Sequence, residues 1–210
     1  NGINDFVERN LRRRHFDVVF DFQGLAKSGL IAFLSGAPLR IGFHPQDCRE
    51  HLNTWFTNRK GAYVGKGTHV IDKNLSLLNE IHATTIVKEF PLRVPASAEE
   101  YVSTYLKENP DLMANPVAVI NPGVGFKTKQ WDLARFAQLA DRIAGDFGYN
   151  ILLAWGPGED DKIKFIASRM TRRHWIAPPT SVHQSIALFR NISLFISCDT
   201  GPLHLCSVMG

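Results

Sequence analysis

The second half of the sequence repeats one pattern. A short apolar run, rich in β-branched residues, gives way to glycine, proline or asparagine, and then to a stretch of helical period. Val117-Ala118-Val119-Ile120 precedes residues 132–147, where Leu133, Phe136, Ala140 and Ile143 share one helical face. Ile151-Leu152-Leu153-Ala154-Trp155 precedes residues 159–170, and a short run near Trp175 precedes residues 181–190. Ile192-Ser193-Leu194-Phe195-Ile196-Ser197 precedes a helix opened by Pro202. Uncharged runs of this kind are strands buried on both faces, and their alternation with helices dictates a parallel sheet covered on both sides. The expected class is therefore α/β, with a Rossmann-like layer in this half.

Parallel strands bring their carboxyl ends to one edge, where ligands of open α/β sheets bind. Three turns are expected to meet there: Asn121-Pro122-Gly123-Val124-Gly125, Gly156-Pro157-Gly158-Glu159 and Asp199-Thr200-Gly201-Pro202-Leu203-His204. Glycines allow backbone to approach a phosphate closely. Lys127 and Lys129 supply positive charge, Glu159 can accept hydrogen bonds from a ribose, and a helix start at Pro202 favours an anion. Such a site suits a nucleoside diphosphate. Structural duties remain open for the same residues: Asp199 as an N-cap, Gly201 as a turn, His204 as a cap of its own helix, and Trp131 and Trp155 as core aromatics. Two familiar phosphate motifs fail. Thr128 stands where a dinucleotide fingerprint needs its third glycine, and no Gly-Lys-Ser/Thr run exists for a P-loop.

The first half contains one βαβ unit. Residues 1–14 place Phe6, Val7 and Leu11 on one helical face, and Arg12-Arg13-Arg14 reads as its solvated end. Residues 16–22 read as a strand, residues 25–34 as a helix closed by Gly36, and residues 39–43 as a second strand. Gln23, Lys27 and Ser28 follow the first strand's carboxyl end. Residues 44–59 form a long loop holding Arg49, Glu50, His51, Trp55 and Arg59, a composition that suits an anionic sugar or phosphate. The plainer expectation is a surface loop pinned by Trp55 and Phe56. Residues 69–81 read as a helix burying Val70, Leu75, Leu78 and Ile81. The proline-bounded segment 90–95 reads as the linker between two domains, residues 1–95 and 96–210, and Ser97-Ala98-Glu99-Glu100 as a capping box opening the next helix.

Charge and cysteine content narrow the classes further. Twenty-four Lys and Arg against 20 Asp and Glu leave a net charge of +4, mildly basic and fit for an anionic substrate or membrane surface; no nucleic-acid partner is expected. The three cysteines, Cys48, Cys198 and Cys206, form no CxxC pair, so neither a disulfide framework nor a zinc site is expected and a reducing compartment is the default. Cys198 and Cys206 read as small buried residues. The apolar run 30–34 is far too short to span a bilayer. With a start at Asn1 and an end at Gly210 just after a helix opens, the chain is expected to be an internal piece of a longer protein.

Taken in order, these motifs resemble a family. Lys129-Gln130-Trp131 after a Pro-Gly loop, Trp155-Gly156 with Glu159, and Asp199-Thr200-Gly201-Pro202-Leu203-His204 are similar to the bacterial lipopolysaccharide heptosyltransferases of glycosyltransferase family 9. Asp21-Phe22-Gln23-Gly24-Leu25-Ala26-Lys27-Ser28 and Arg49-Glu50 resemble the heptosyltransferase I branch. The resemblance implies a GT-B fold, two Rossmann-like domains facing across a cleft, both incomplete in this chain. It implies inverting transfer of heptose from ADP-heptose to the Kdo of the lipid A inner core. The enzyme would be cytoplasmic and peripheral on the inner membrane.

It also assigns roles. Lys129 would contact the donor phosphates. Glu159 would contact the ribose, with Asp160 as the neighbour able to replace it. Asp199, Thr200, Gly201 and His204 would cradle diphosphate and sugar. Lys129 and Asp199 carry the expected catalytic roles, and Lys27 and Arg49 would hold the acidic acceptor. The family's general base is an aspartate in a Gly-Asp segment near the N-terminus. No such segment precedes Phe16, so the base is expected outside this sequence and the 210 residues alone are expected to be inactive. No cofactor is required; a divalent cation such as Mg2+ could assist the diphosphate, though no carboxylate cage is visible for it. Two other readings stand beside this one: a non-catalytic nucleotide-binding module, and a Rossmann oxidoreductase, against which the failed glycine fingerprint counts.

Overall fold

The computed structural model describes residues 2–83, 87–125 and 127–209, and the chain divides into two units, Asn1–Lys88 and Glu89–Gly210. The side chains of Phe6 and Lys127, and all of Phe126, lie outside the described residues.

In the first unit α1 (Gly2–Asn10) ends in a single exposed turn, Arg12–Arg14. A parallel three-stranded sheet follows in the order β1 (Val18–Phe20), β2 (Leu39–Gly42), β3 (Arg59–Lys60), with α2 (Ala26–Leu34) crossing between β1 and β2. Val18 pairs with Leu39, and Ile41 with Arg59. The strand expected over residues 16–22 is shorter, and Phe16 and Phe22 are exposed. Asp21 stops it: its Oδ1 accepts the N–H groups of Gln23 (2.9 Å) and Gly24 (3.2 Å) and curls the backbone into a turn. Gly36 ends α2 in the left-handed region (φ +74°), as expected of a helix-terminal glycine.

The segment 44–59 is more ordered than a loop. It holds two 3-10 turns, Pro45–Asp47 and His51–Trp55. Trp55 does not pin it, being 76% exposed. Asn53 does: it is fully buried, and its Nδ2 donates to Asp21 Oδ2 (2.5 Å) and to the Leu25 carbonyl (2.8 Å). The helix expected over 69–81 is α3 (Val70–Ser76) continued by a 3-10 turn, Leu77–Ile81. The tighter winding changes the period from 3.6 to about 3 residues, so the buried side chain is Leu77, while Val70 and Ile81 are exposed.

In the second unit α4 (Ala96–Glu108) starts directly after Pro95, which serves as N-cap without a side-chain bond. The capping box expected at Ser97 does not form, because proline has already opened the helix and placed Ser97 inside its first turn. A capping box does form at α7 (Val182–Phe189), between Ser181 and Gln184. The Leu92 carbonyl accepts from Arg190, so the segment 90–95 packs with this unit.

Four parallel strands follow the order β6 (His174–Ile176), β5 (Asn150–Leu153), β4 (Val117–Asn121), β7 (Leu194–Ser197). Every residue of β4 is buried. Val117 and Val119 join Leu152, Val102 and Leu188 under α4 and α7. Ala118 and Ile120 join Phe136, Ile143, Ile151 and Ile166 under α5 (Leu133–Phe147) and α6 (Asp160–Arg169). The alternation of strand side chains thus feeds two cores from one strand. Burying each of these large side chains contributes about 1.5–3 kcal/mol. Among the described residues no helix is long and apolar enough to cross a membrane.

Candidate functional site

The order β6-β5-β4-β7 reverses direction at β4, since β5 and β7 leave it on opposite sides. A crevice opens outside the carboxyl ends of the strands at such a point. There the second unit has a cavity of about 590 Å³, lined by all three glycine-bearing turns. Lys129, Glu159, Asp199, Thr200, Gly201 and His204 line it together, so the topology gathers residues up to 75 positions apart, from Lys129 to His204.

Each turn supplies a different chemistry. After β4 the Gly123 N–H donates to Asn121 Oδ1 (2.9 Å), and Gln130 Nε2 donates to the Pro122 carbonyl (3.0 Å). These bonds shape the turn that carries Lys129, which sits in the short 3-10 turn Lys127–Lys129. After β7, Thr200 occupies the N-cap position of α8 (Gly201–Ser207) without a side-chain cap bond, and its hydroxyl lies 3.0 Å from Ser197 Oγ. Lys129 Nζ meets Asp199 Oδ2 at 2.5 Å. The hydrogen bond and charge of Lys129 hold the Asp199 carboxyl below its ordinary range, with His204 adding to the effect. His204 Nε2 lies 3.6 Å from Asp199 Oδ1. Asp199 thus meets two basic side chains that line the cavity, Lys129 and His204, and both of these pairs are exposed.

The turn after β5 is acidic. Glu159, Asp160 and Asp161 open α6, but Glu159 is the one that lines the cavity, while Asp160 is exposed and does not. Glu159 Oε2 accepts the Gly156 N–H (3.0 Å), and Oε1 accepts from Lys162 Nζ (3.2 Å). The cavity lining therefore includes a lysine and a largely buried carboxylate with lone pairs to spare. Val182, Leu188 and Leu205 add apolar wall, as befits a small-molecule site.

The remaining expectations divide. Trp131 packs edge-on against Phe136 (4.8 Å between ring centres), which anchors the Lys129 turn to α5. Trp155 lines the cavity and donates its indole N–H to the Ala177 carbonyl (2.8 Å). Cys198 and Cys206 are half-buried free thiols, and burial pushes Cys206 up. Lys27 and Arg49 are exposed in the first unit. Beside them Glu50 Oε2 accepts the Ala26 N–H (2.7 Å) and ties the 44–59 segment to the start of α2. Among the described residues no group of three or more His, Cys, Asp or Glu is placed to hold a metal ion. Sequence reasoning missed Lys162, whose spacing of three from Glu159 on one helix was the available signal, and Val182 and Ser185, which carried none.

Two parallel-sheet units, with a cavity at the carboxyl edge of the second, define an α/β chain of the GT-B type. Residues 6–210 match glycosyltransferase family 9 (heptosyltransferase). The chain is 25% identical to lipopolysaccharide heptosyltransferase 1 and to lipopolysaccharide heptosyltransferase 3 of Escherichia coli, in each case covering 95% of this chain and 58% of the relative. It superposes with a TM-score of 0.68 and 26% identity on the E. coli heptosyltransferase WaaC solved with ADP-2-deoxy-2-fluoro heptose, covering 98% of this chain and 62% of that one. The chain belongs to glycosyltransferase family 9. It spans about three-fifths of the length of the relatives it matches.

Proposed function

We propose that the protein to which this chain belongs transfers a heptose from a nucleoside-diphosphate donor of the ADP-heptose type to the Kdo of the lipid A inner core. The observation that carries this reading is that Lys129, Glu159 and the Asp199-Thr200-Gly201 turn, brought from three separate strand ends, line one cavity. A diphosphate against Lys129 and a ribose against Glu159 suit that lining. The relatives solved with ADP and with an ADP-heptose analogue support it.

In the proposed step an acceptor hydroxyl oxygen bonds to the anomeric carbon as the bond from that carbon to the phosphate oxygen breaks. The electron pair stays on the departing ADP, and inversion follows from attack on the opposite face. Lys129 and the amides of the Asp199-Thr200-Gly201 turn face the charge that develops on the leaving phosphate. Donors preorganised in this way are worth several kcal/mol in a water-poor site. The hydroxyl proton passes to a general base, which we place in the acceptor-side portion of the whole protein.

The positive charge is also unevenly divided. Residues 1–88 hold twelve Lys and Arg against eight Asp and Glu, whereas residues 89–210 hold twelve of each. That bias supports the first unit as the side meeting an anionic acceptor, with Lys27 and Arg49 exposed on it, and a peripheral contact with the cytoplasmic face of an anionic membrane.

The test is calorimetric titration of the full-length protein with ADP, UDP and NAD, comparing wild type with Lys129→Ala. A charge-assisted bond to phosphate predicts an ADP affinity lower by about ten- to a hundredfold in the variant. Preference for UDP would change the donor, and preference for NAD would remove the glycosyltransferase reading of the site.

A further inference from the structure

Glu159 occupies the N-cap position of α6, yet its side chain caps nothing in that helix. An N-cap carboxylate would ordinarily fold over the first free N–H groups of its own helix. This one turns the other way, back across the β5 turn to the Gly156 N–H, and is only 16% exposed. Two features hold it there. Lys162, one turn along α6, reaches back and donates to Oε1. On the opposite side lies the bare Cα of Gly123: a Cβ built there would stand 2.7 and 2.9 Å from the two Glu159 oxygens and 2.8 Å from Asn121 Oδ1. Asn121 is itself buried and fixes the Gly123 amide. The carboxylate therefore fills the space that a side chain at position 123 would need.

We propose that Lys162 is a positioning residue, holding the Glu159 carboxylate turned away from its helix so that its free lone pairs face the ligand's sugar hydroxyls, and that Gly123 is the vacancy this pose requires. The inference rests on the proposed ribose contact of Glu159. A pair at this spacing on an exposed helix contributes little to stability. Here the pair is two-thirds or more buried on both side chains, and Glu159 lines the cavity while Lys162 stands behind it, so the effect of the pair falls on binding. A carboxylate accepts about four hydrogen bonds; Gly156 and Lys162 use two, which leaves two for a pair of vicinal hydroxyls. Without Lys162 the carboxylate is free to swing onto the first-turn amides of α6.

The experiment titrates the full-length protein with ADP and with 2′,3′-dideoxy-ADP, which keeps base and diphosphate but lacks both hydroxyls. Lys162→Met is expected to weaken ADP about five- to tenfold and to leave the dideoxy analogue unchanged. Lys162→Arg is expected to restore most of the loss, and Gly123→Ala to copy Lys162→Met. Adding Lys162→Met to Glu159→Gln should cost no further ADP affinity, because both remove one interaction. If Glu159→Gln shifts the ratio of the two affinities and Lys162→Met does not, the positioning role is refuted and the ribose contact stands. Equal weakening of both ligands by Lys162→Met also refutes it. If Glu159→Gln leaves the ratio untouched, the ribose contact itself falls, and the positioning role with it.

Discussion

Replacing Asn53 by alanine tests what holds the first unit's long segment in place. Asn53 is fully buried, and it donates to the buried Asp21 carboxylate and to the Leu25 carbonyl, 28 residues back. A hydrogen bond to a charged group is worth about 1.5–3 kcal/mol, and one to a neutral carbonyl about 1 kcal/mol. Asp21 keeps three other donors, Gln23 N, Gly24 N and Ser28 Oγ, so no charge is orphaned and no larger penalty is added. The expected loss is about 3 kcal/mol. Urea unfolding followed by far-UV circular dichroism measures it, and amide exchange of peptides from residues 18–60 assigns it to the first unit. Asn53→Asp should cost more at neutral pH, because it sets a second carboxylate against Asp21, and should recover at acid pH as the pair takes up a proton. A loss below about 1 kcal/mol in Asn53→Ala, with exchange in α2 unchanged, would refute the pin.

Three further outcomes follow from particular groups. Gly36→Ala should cost about 1 kcal/mol through backbone strain alone, since φ is +74° and no atom lies within 4 Å of the added methyl; thermal melts of the pair measure it. Burial pushes the Tyr105 phenol up from 10.0 to about 12. The unfolded chain then releases this proton first, so stability falls between pH 10 and 12, and Tyr105→Phe should fall less across that window in unfolding titrations. At Asp141, burial pushes the carboxyl up, but hydrogen bonds from Thr171 and Arg172 outweigh it and hold the group below its ordinary 3.8. Its contribution is present above that value and lost as pH falls through the lower folded-state one, so Asp141→Asn should flatten the acid limb of the stability curve.

The parallel β–α order was legible because each strand is buried on both faces and therefore reads as an uncharged run. The site was legible for the same reason: once the strands are parallel, their glycine turns must share an edge, and Lys129, Glu159, Asp199 and His204 do line one cavity. What escaped was polar chemistry with no local pattern. Asp21 shortens β1 through an Asx turn inside an otherwise apolar run. Asn53 meets a partner 32 residues earlier, so no window of sequence displays it. The Ser97 capping box failed because Pro95 competes for the same helix start. The 69–81 helix changes winding midway, which moves burial from the expected stripe to Leu77.

The central position of β4 has a consequence for synthesis. One edge of β4 is met by β5, the next strand to emerge, but the other waits for β7. Roughly 76 residues separate Asn121 from Ser197, which at about 5–20 residues per second is roughly 4–15 s on the ribosome. Throughout that interval an uncharged and largely apolar strand presents an open ladder of N–H and C=O groups, to which another nascent chain can add. The same delay applies to the cavity, because Asp199 and His204 arrive with β7 and α8. The growing chain is thus most open to strand-edge pairing just before the lining of its cavity is complete.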